Sequence, residues 1–230
     1  MKFKIWTREL EFNQETKIIT YKNQIFTPNV RTYWDMKDMY KYKNDLKDNE
    51  WLYYMYRDVY FDDNDLNILR ENKIRFDITI ILPQLFWDEY NKTYWHYHPL
   101  NSNKKSFQEL YQVLSWNAIY LLQNDKKVSY TEAKWWDAVN MWESFWHITI
   151  NPSETEVLVM ANIVDDTFES IYNDYKTKNG WMYYYSKKWW YKNPNFDIVP
   201  EIEEDKTKFD ITTSIYDDFI KNPEKFNYLH

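Results

Sequence analysis

At 230 residues the chain can bury a substantial core, which fits one large β domain or a small two-lobed one; a single domain with extensions is the expected arrangement. The formal charge of -7 disfavours nucleic acid or an anionic membrane face as the main partner, and no basic patch with interleaved aromatics compensates, since Lys187-Lys188 is short. Zero cysteines remove disulfide and thiolate chemistry, and Met1-Lys2-Phe3-Lys4 leads into no apolar leader and no span of roughly 18 apolar residues, so the chain reads as cytoplasmic and soluble.

In chain order, residues 17–21 and 52–56 look like strands, and residues 62–72 read as a capped helix or turn. From Ile74 onward short strands recur about every ten residues, at 75–82, 93–98, 109–114, 118–123, 128–133, 138–141, 147–151 and 156–163. That spacing, with turn signals between, argues for an all-β sandwich or barrel. Residues 200–208 form a charged linker, and residues 213–220, ahead of Asn222-Pro223, read as a short C-terminal helix that packs on the barrel or on a second subunit. The implied organisation is an N-terminal extension over 1–73, a barrel core over 74–165 and a C-terminal extension over 166–230.

One compositional inversion stands out. The chain holds 13 tryptophans and one glycine, Gly180, where average usage of roughly 7% calls for about as many glycines as the two counts together. Lysine outnumbers arginine 24 to 5 and alanine occurs four times, the imprint of an AT-rich coding sequence. Such a gene should be poor in tryptophan, whose usual codon is UGG, unless UGA is read as an amino acid. The expectation is that most of these tryptophans stand where the source organism inserts glycine at UGA. Context agrees: Trp135-Trp136 and Trp189-Trp190 sit in polar stretches, and Trp87, Trp116 and Trp181 occupy breaker positions between apolar runs, where a residue at φ > 0 or a close backbone approach is wanted. A chain that is truly tryptophan-rich would explain the excess but not the missing glycine.

The chemistry gathers at the histidines. His96 and His98 flank Tyr97 on an expected strand, so alternation points both imidazoles to one face, half of a metal site. Glu109 opens the next strand and His147 a later one. A barrel can turn all four inward, giving three nitrogens and one carboxylate with positions left for water or substrate. The alternative is that the histidines are ordinary polar strand residues. His230, at the end of the sequence, is expected to be a solvated tail residue.

These residues carry a resemblance. Thr93-Tyr94-Trp95-His96-Tyr97-His98, then Glu109, then Trp116 resembles the first cupin motif, in which a His-x-His pair is followed by Glu and then Gly. Trp136, Trp142, His147 and Asn151 resemble the second motif, which begins at a Gly, so Trp116 and Trp136 fall on family glycines. Among cupins, Thr-x-Gly-His-x-His with its Glu is similar to the cupin-type glucose-6-phosphate isomerases. Residues 76–83, the segment Trp34-Asp35-Met36 and residues 161–172 extend the likeness over about 11–195. The interval from His98 to Glu109 is longer than the family's usual one, and Trp142-Glu143-Ser144 replaces a Pro-rich turn.

The resemblance implies a cupin double-stranded β-helix, a jelly-roll barrel with an N-terminal strand and helix extension and a short C-terminal helix. It implies interconversion of glucose 6-phosphate and fructose 6-phosphate by a homodimer, with no nucleic-acid or membrane partner. A divalent metal, Fe2+ first with Zn2+, Mn2+ or Ni2+ as alternatives, would be held by His96, His98, Glu109 and His147 and would stabilise charge on the oxygens of C1 and C2. Glu109 is the candidate catalytic residue, as ligand or as general base, two roles that compete. For the substrate, Thr79 and Thr93 offer hydroxyls, Tyr172 a phenol, Tyr111 a contact to the sugar, and Trp95 a backbone N–H. Two other classes stay open: another metal cupin, such as a sugar-phosphate epimerase or a dioxygenase, and a non-enzymatic protein that stacks sugars on its aromatics.

Overall fold

The computed structural model describes residues 1–42, 47–101, 104–172, 176–187 and 189–230. An N-terminal antiparallel sheet is formed by β1 (Lys2–Ile5), β2 (Arg8–Phe12), β3 (Ile19–Tyr21) and β4 (Gln24–Phe26). The chain continues through β5 (Asn29–Thr32), the single-turn α1 (Tyr33–Met36), β6 (Trp51–Tyr56), α2 (Asp63–Glu71) and β7 (Ile74–Ile81). A small hairpin of β8 (Leu85–Phe86) and β9 (Glu89–Tyr90) leads into the histidine segment. There follow β10 (Glu109–Ser115), β11 (Ala118–Gln123), β12 (Val128–Ala133), β13 (Ala138–Met141), β14 (Trp146–Ile150) and β15 (Leu158–Asp165). A hairpin of β16 (Tyr183–Tyr185) and β17 (Trp190–Lys192), then β18 (Ile202–Glu204) and α3 (Ile215–Lys221), complete the chain. Among the described residues no helix is long and apolar enough to cross a membrane.

Two packed sheets make an all-β jelly-roll core. One is six-stranded in the order β13-β10-β15-β7-β6-β5, the other four-stranded in the order β14-β11-β12-β18. Tyr111, Val113 and Met160 from the first join Leu121, Ile148 and Ile150 from the second in one core. The six-stranded sheet is covered on its other face as well. Phe76, Ile78 and Ile80 of β7, Val159, Ala161 and Ile163 of β15, and Tyr54 and Tyr56 of β6 pack there with Phe3, Leu10 and Phe12 of the N-terminal sheet and Ile215, Tyr216 and Phe219 of α3. The intervening residues, Arg75, Asp77 and Thr79, Met160, Asn162 and Val164, and Tyr53, Met55 and Arg57, are left for the inner face, because side chains alternate along a strand. The split is clearest in β7, whose apolar row Phe76, Ile78 and Ile80 faces the outer layer while Arg75, Asp77 and Thr79 face the cavity.

The two regular helices start where their capping chemistry says. The Asp62 carboxylate accepts from the Asp65 N–H at 2.9 Å and the Ser214 hydroxyl from the Asp217 N–H at 3.0 Å, each satisfying an otherwise orphaned helical donor. Arg8 of β2 then ties α3 to the N-terminal sheet through Asp217 at 2.6 Å.

Three expectations are corrected. Residues 93–98 are not a regular strand but a segment with isolated bridges, His96 to His147 and Tyr97 to Ile171. Its backbone groups are divided among partners: Thr93 bonds Thr149, the Tyr94 N–H goes to the Tyr53 hydroxyl at 3.0 Å, and Pro99 contributes no donor. The linker at 200–208 contains β18, which pairs in parallel with β12. His230 is no free tail, since its Nδ1 lies 2.6 Å from the buried Asp165 carboxylate.

Four tryptophans occupy the left-handed backbone region, Trp6 (φ 52°), Trp87 (64°), Trp116 (69°) and Trp136 (76°), each in a short link between consecutive strands. An L-residue there costs roughly 1–2 kcal/mol. Gly180, at φ 100°, shows the requirement at its sharpest: a Cβ on it would stand 2.7 Å from the Met39 carbonyl oxygen.

Candidate metal centre and cavity

Four side chains converge on the inner face of the six-stranded sheet. The bridge between His96 and His147, with the His147 N–H donating to the His96 carbonyl at 3.3 Å, sets their rings 4.1 Å apart. Two residues on, His98 donates from Nδ1 to the Phe107 carbonyl at 2.9 Å, which fixes its tautomer and turns Nε2 inward. Glu109 opens β10 and directs Oε2 at all three imidazoles, 3.4 Å from His96 Nε2, 3.3 Å from His98 Nε2 and 3.1 Å from His147 Nε2. One ligand atom from each of the four lies within 4.8 Å of the others. His98, Glu109 and His147 are buried and His96 is half-buried. Three nitrogens and one oxygen at this spacing fit a divalent metal with coordination positions left over.

Their protonation suits that role. Burial is the main influence on His147 and lowers it to about 3, and burial likewise lowers His96. Burial alone would raise Glu109, but hydrogen bonds from His147 and His96 hold it well below the usual carboxylate range. Neutral His96 and His147 beside an ionised carboxylate are the forms a metal binds.

The second oxygen of Glu109 has a different neighbour. Oε1 accepts from the Asn162 amide at 2.6 Å, across the β10–β15 ladder that pairs Tyr111 with Asn162. Tyr111 is buried, and burial followed by the adjacent Glu109 charge raises its phenol well above the ordinary value, so it stays protonated as a donor.

The cluster borders an open cavity on the inner face of the six-stranded sheet. Thr79, Thr93, Tyr111 and Tyr172 line it together with His96, His98 and Glu109. The Thr93 hydroxyl accepts from the Thr149 N–H at 2.9 Å, leaving its own hydrogen to give. His147 is buried and is not among the lining residues, and neither is Trp95, whose indole is buried with its ring 5.4 Å from that of Trp146 and 6.0 Å from that of Tyr94. Sequence reading missed Asn162, Asp77 and three cavity arginines, Arg31, Arg57 and Arg75. Alternation in β7 and β15 was the available signal for Asp77 and Asn162, since each is a polar residue on the row opposite the apolar one.

A family model described as glucose-6-phosphate isomerase matches residues 30–201, well over half of the chain. No curated protein sequence matches it. Among solved structures, an oxalate decarboxylase from Bacillus subtilis is similar at 14% identity and a TM-score of 0.39, over 53% of this chain and 28% of that one. An oxalate oxidase in complex with glycolate is similar at 10% identity and 0.35, over 44% and 46%. Vicilin from Capsicum annuum is similar at 13% identity and 0.38, over 52% and 30%. The chain spans less than half the length of each of these three.

Proposed function

The chain belongs to the glucose-6-phosphate isomerase family, and from that premise we propose that it interconverts glucose 6-phosphate and fructose 6-phosphate with a divalent metal held by His96, His98, Glu109 and His147. The observation that carries this reading is the convergence of the four ligand atoms, within 4.8 Å of one another, beside a polar cavity that His96, His98 and Glu109 line. When bound, the metal supplies positive charge to the C1 and C2 oxygens, where negative charge develops as hydrogen passes between those carbons. Fe2+ is the first assignment, and the same donors accept Zn2+, Mn2+ or Ni2+.

Glu109 is asked to be both ligand and base, and the competition is relieved if its oxygens divide the work. Oε2 faces the three imidazoles and takes the ligand role. Oε1 faces Asn162 in the cavity wall and takes the proton moving between C1 and C2. Asn162 holds the carboxylate in the rotation that keeps these roles apart, and Tyr111 offers its phenolic hydrogen to a sugar oxygen beside it. Thr79, Thr93 and Tyr172 take the phosphate end by hydroxyl donation, joined by the backbone N–H of position 95.

The test is product identity under anaerobic conditions, followed by NMR in deuterium oxide. Glucose 6-phosphate is expected to yield fructose 6-phosphate carrying solvent deuterium. An epimer, or oxygen-dependent consumption, would replace this reading with another metal cupin. Formation of fructose 6-phosphate with no deuterium would keep the isomerase and remove the proton-carrying role of Oε1.

We also propose that positions 6, 87, 116 and 136 are glycine in the native protein through translation of UGA. Supporting this, the four tryptophans there adopt the backbone region that favours glycine, and Trp116 and Trp136 are the two that fall on cupin-motif glycines. The mass of the native protein is expected to match glycine at these positions, and UGG codons at them would refute it. Gly in place of all four tryptophans is expected to raise stability by a few kcal/mol, from roughly 1–2 kcal/mol per relieved residue.

A further inference from the structure

Arginine is scarce in this chain, five against 24 lysines, yet three of the five line the cavity and no described lysine does. Two of the three are already committed. Arg57 pairs with Asp77 at 3.0 Å, and Arg75 pairs with Asp77 at 2.9 Å and with Asp166 at 2.9 Å. Arg31 is different. Among the described residues it forms no ion pair, and its Nε is buried without a hydrogen-bond partner. The nearby Asp35 carboxylate instead accepts from the Thr32 N–H at 2.8 Å and the Thr32 hydroxyl at 3.0 Å.

The position of Arg31 is built rather than incidental. It sits directly opposite Tyr53 in the β5–β6 ladder, close enough for its guanidinium to interact with the Tyr53 phenol. Its guanidinium lies 5.4 Å from the centre of the Tyr94 ring and 5.8 Å from that of Tyr172. Two aromatic faces thus hold a planar cation in the cavity wall. The Tyr172 ring is also 6.2 Å from that of His96, so one phenol neighbours both the guanidinium and a metal ligand. A ligand engaging both therefore runs past one phenol ring.

We propose that Arg31 is the charge-bearing anchor for the phosphate of the substrate and sets the requirement for a phosphorylated sugar over a neutral one. This rests on the isomerase reading and adds a residue to it. A guanidinium presents a fork of N–H donors that matches two phosphate oxygens at once, which a lysine ammonium cannot do. Arg57 and Arg75, neutralised by Asp77 and Asp166, contribute little net charge to that end. The hydroxyls of Thr79 and Thr93 complete the phosphate's contacts, and they alone would not separate glucose 6-phosphate from glucose.

The test uses the full-length chain, with Arg31→Met and Arg31→Lys. Binding of inorganic phosphate is measured by calorimetry on metal-loaded and chelator-treated protein, alongside KM and kcat for glucose 6-phosphate and the metal affinity. In Arg31→Met, phosphate affinity is expected to fall about 10- to 100-fold, as for loss of a charged hydrogen-bonding partner. KM should rise by a similar factor, with kcat and metal affinity within about twofold of the parent. Arg31→Lys should fall between, because it keeps the charge and loses the fork. A folded Arg31→Met or Arg31→Lys that binds phosphate as tightly as the parent overturns the proposal, whatever the turnover. Phosphate binding that depends on Arg31 in a chain without isomerase turnover would keep the anchor and remove the isomerase reading. If Arg31→Met fails to fold, the phosphate affinity of Arg31→Lys decides.

Discussion

Glu109→Gln is expected to reduce isomerase turnover by about 10²- to 10⁴-fold, the span that a positioned proton-transfer group typically contributes. The substitution preserves volume at a position only 4% exposed, so the fold should survive. What changes is chemistry at both oxygens. Oε2 loses the negative charge that faces three imidazole nitrogens at 3.1–3.4 Å. On the Oε1 side, an amide is no base, and if its nitrogen faces Asn162 two N–H donors oppose each other in place of the 2.6 Å hydrogen bond. Metal affinity should fall with turnover. The check is metal content after dialysis together with initial rates. A variant that keeps metal and turns over within twofold of the parent would contradict both roles given to Glu109.

The second large effect is on acid stability of the metal-free protein. In the folded chain burial lowers His147 to about 3 and lowers His96 in the same direction. Unfolded, these imidazoles take up protons near about pH 6.5. Between those values the unfolded chain binds more protons than the folded one, so stability rises with pH and is lost as pH falls from about 6.5 toward 3. Glu109 acts with the same sign further down: its folded value is depressed, so its contribution is present above the ordinary carboxylate range and is lost as pH falls through the folded value. The slope approaches about 1.4 kcal/mol per pH unit for each imidazole held neutral. Urea unfolding of chelator-treated protein should show midpoints that drop steadily from about pH 7 to about pH 5, and His147→Asn should flatten the dependence. A parent midpoint unchanged over that interval would contradict the assignment of neutral imidazoles.

How much of this was legible in the sequence depends on how local each feature is. His96, His98, Glu109 and His147 were readable because metal ligation needs particular residue types and the cupin spacing brings them together. The reason given for the His96 and His98 pair was incomplete, since the segment makes isolated bridges rather than a strand. The start of α2 at Asp62 was readable from capping chemistry, which is decided within four residues. Arg31 was not, because its meaning comes from Tyr53, Tyr94 and Tyr172, three residues far from it in sequence. His230 was misread for the same reason: Asp165, its partner, lies 65 residues away and is buried at the end of β15. The pairing of β18 with β12 was hidden in a charged stretch, where Ile202 is the only apolar residue between Glu201 and Lys208. Trp116 and Trp136 were flagged by their context and by the family glycines they fall on, and both have positive φ values.

Divalent-metal titration of the chelator-stripped full-length chain, with glucose 6-phosphate turnover recorded in the same samples, tests the central assignment most directly. Turnover is predicted to start at background, to rise in proportion to metal bound and to level off at about one ion per chain, as one four-ligand cluster per chain requires. Full turnover by the stripped protein, or metal bound at that ratio without any gain in rate, would contradict it.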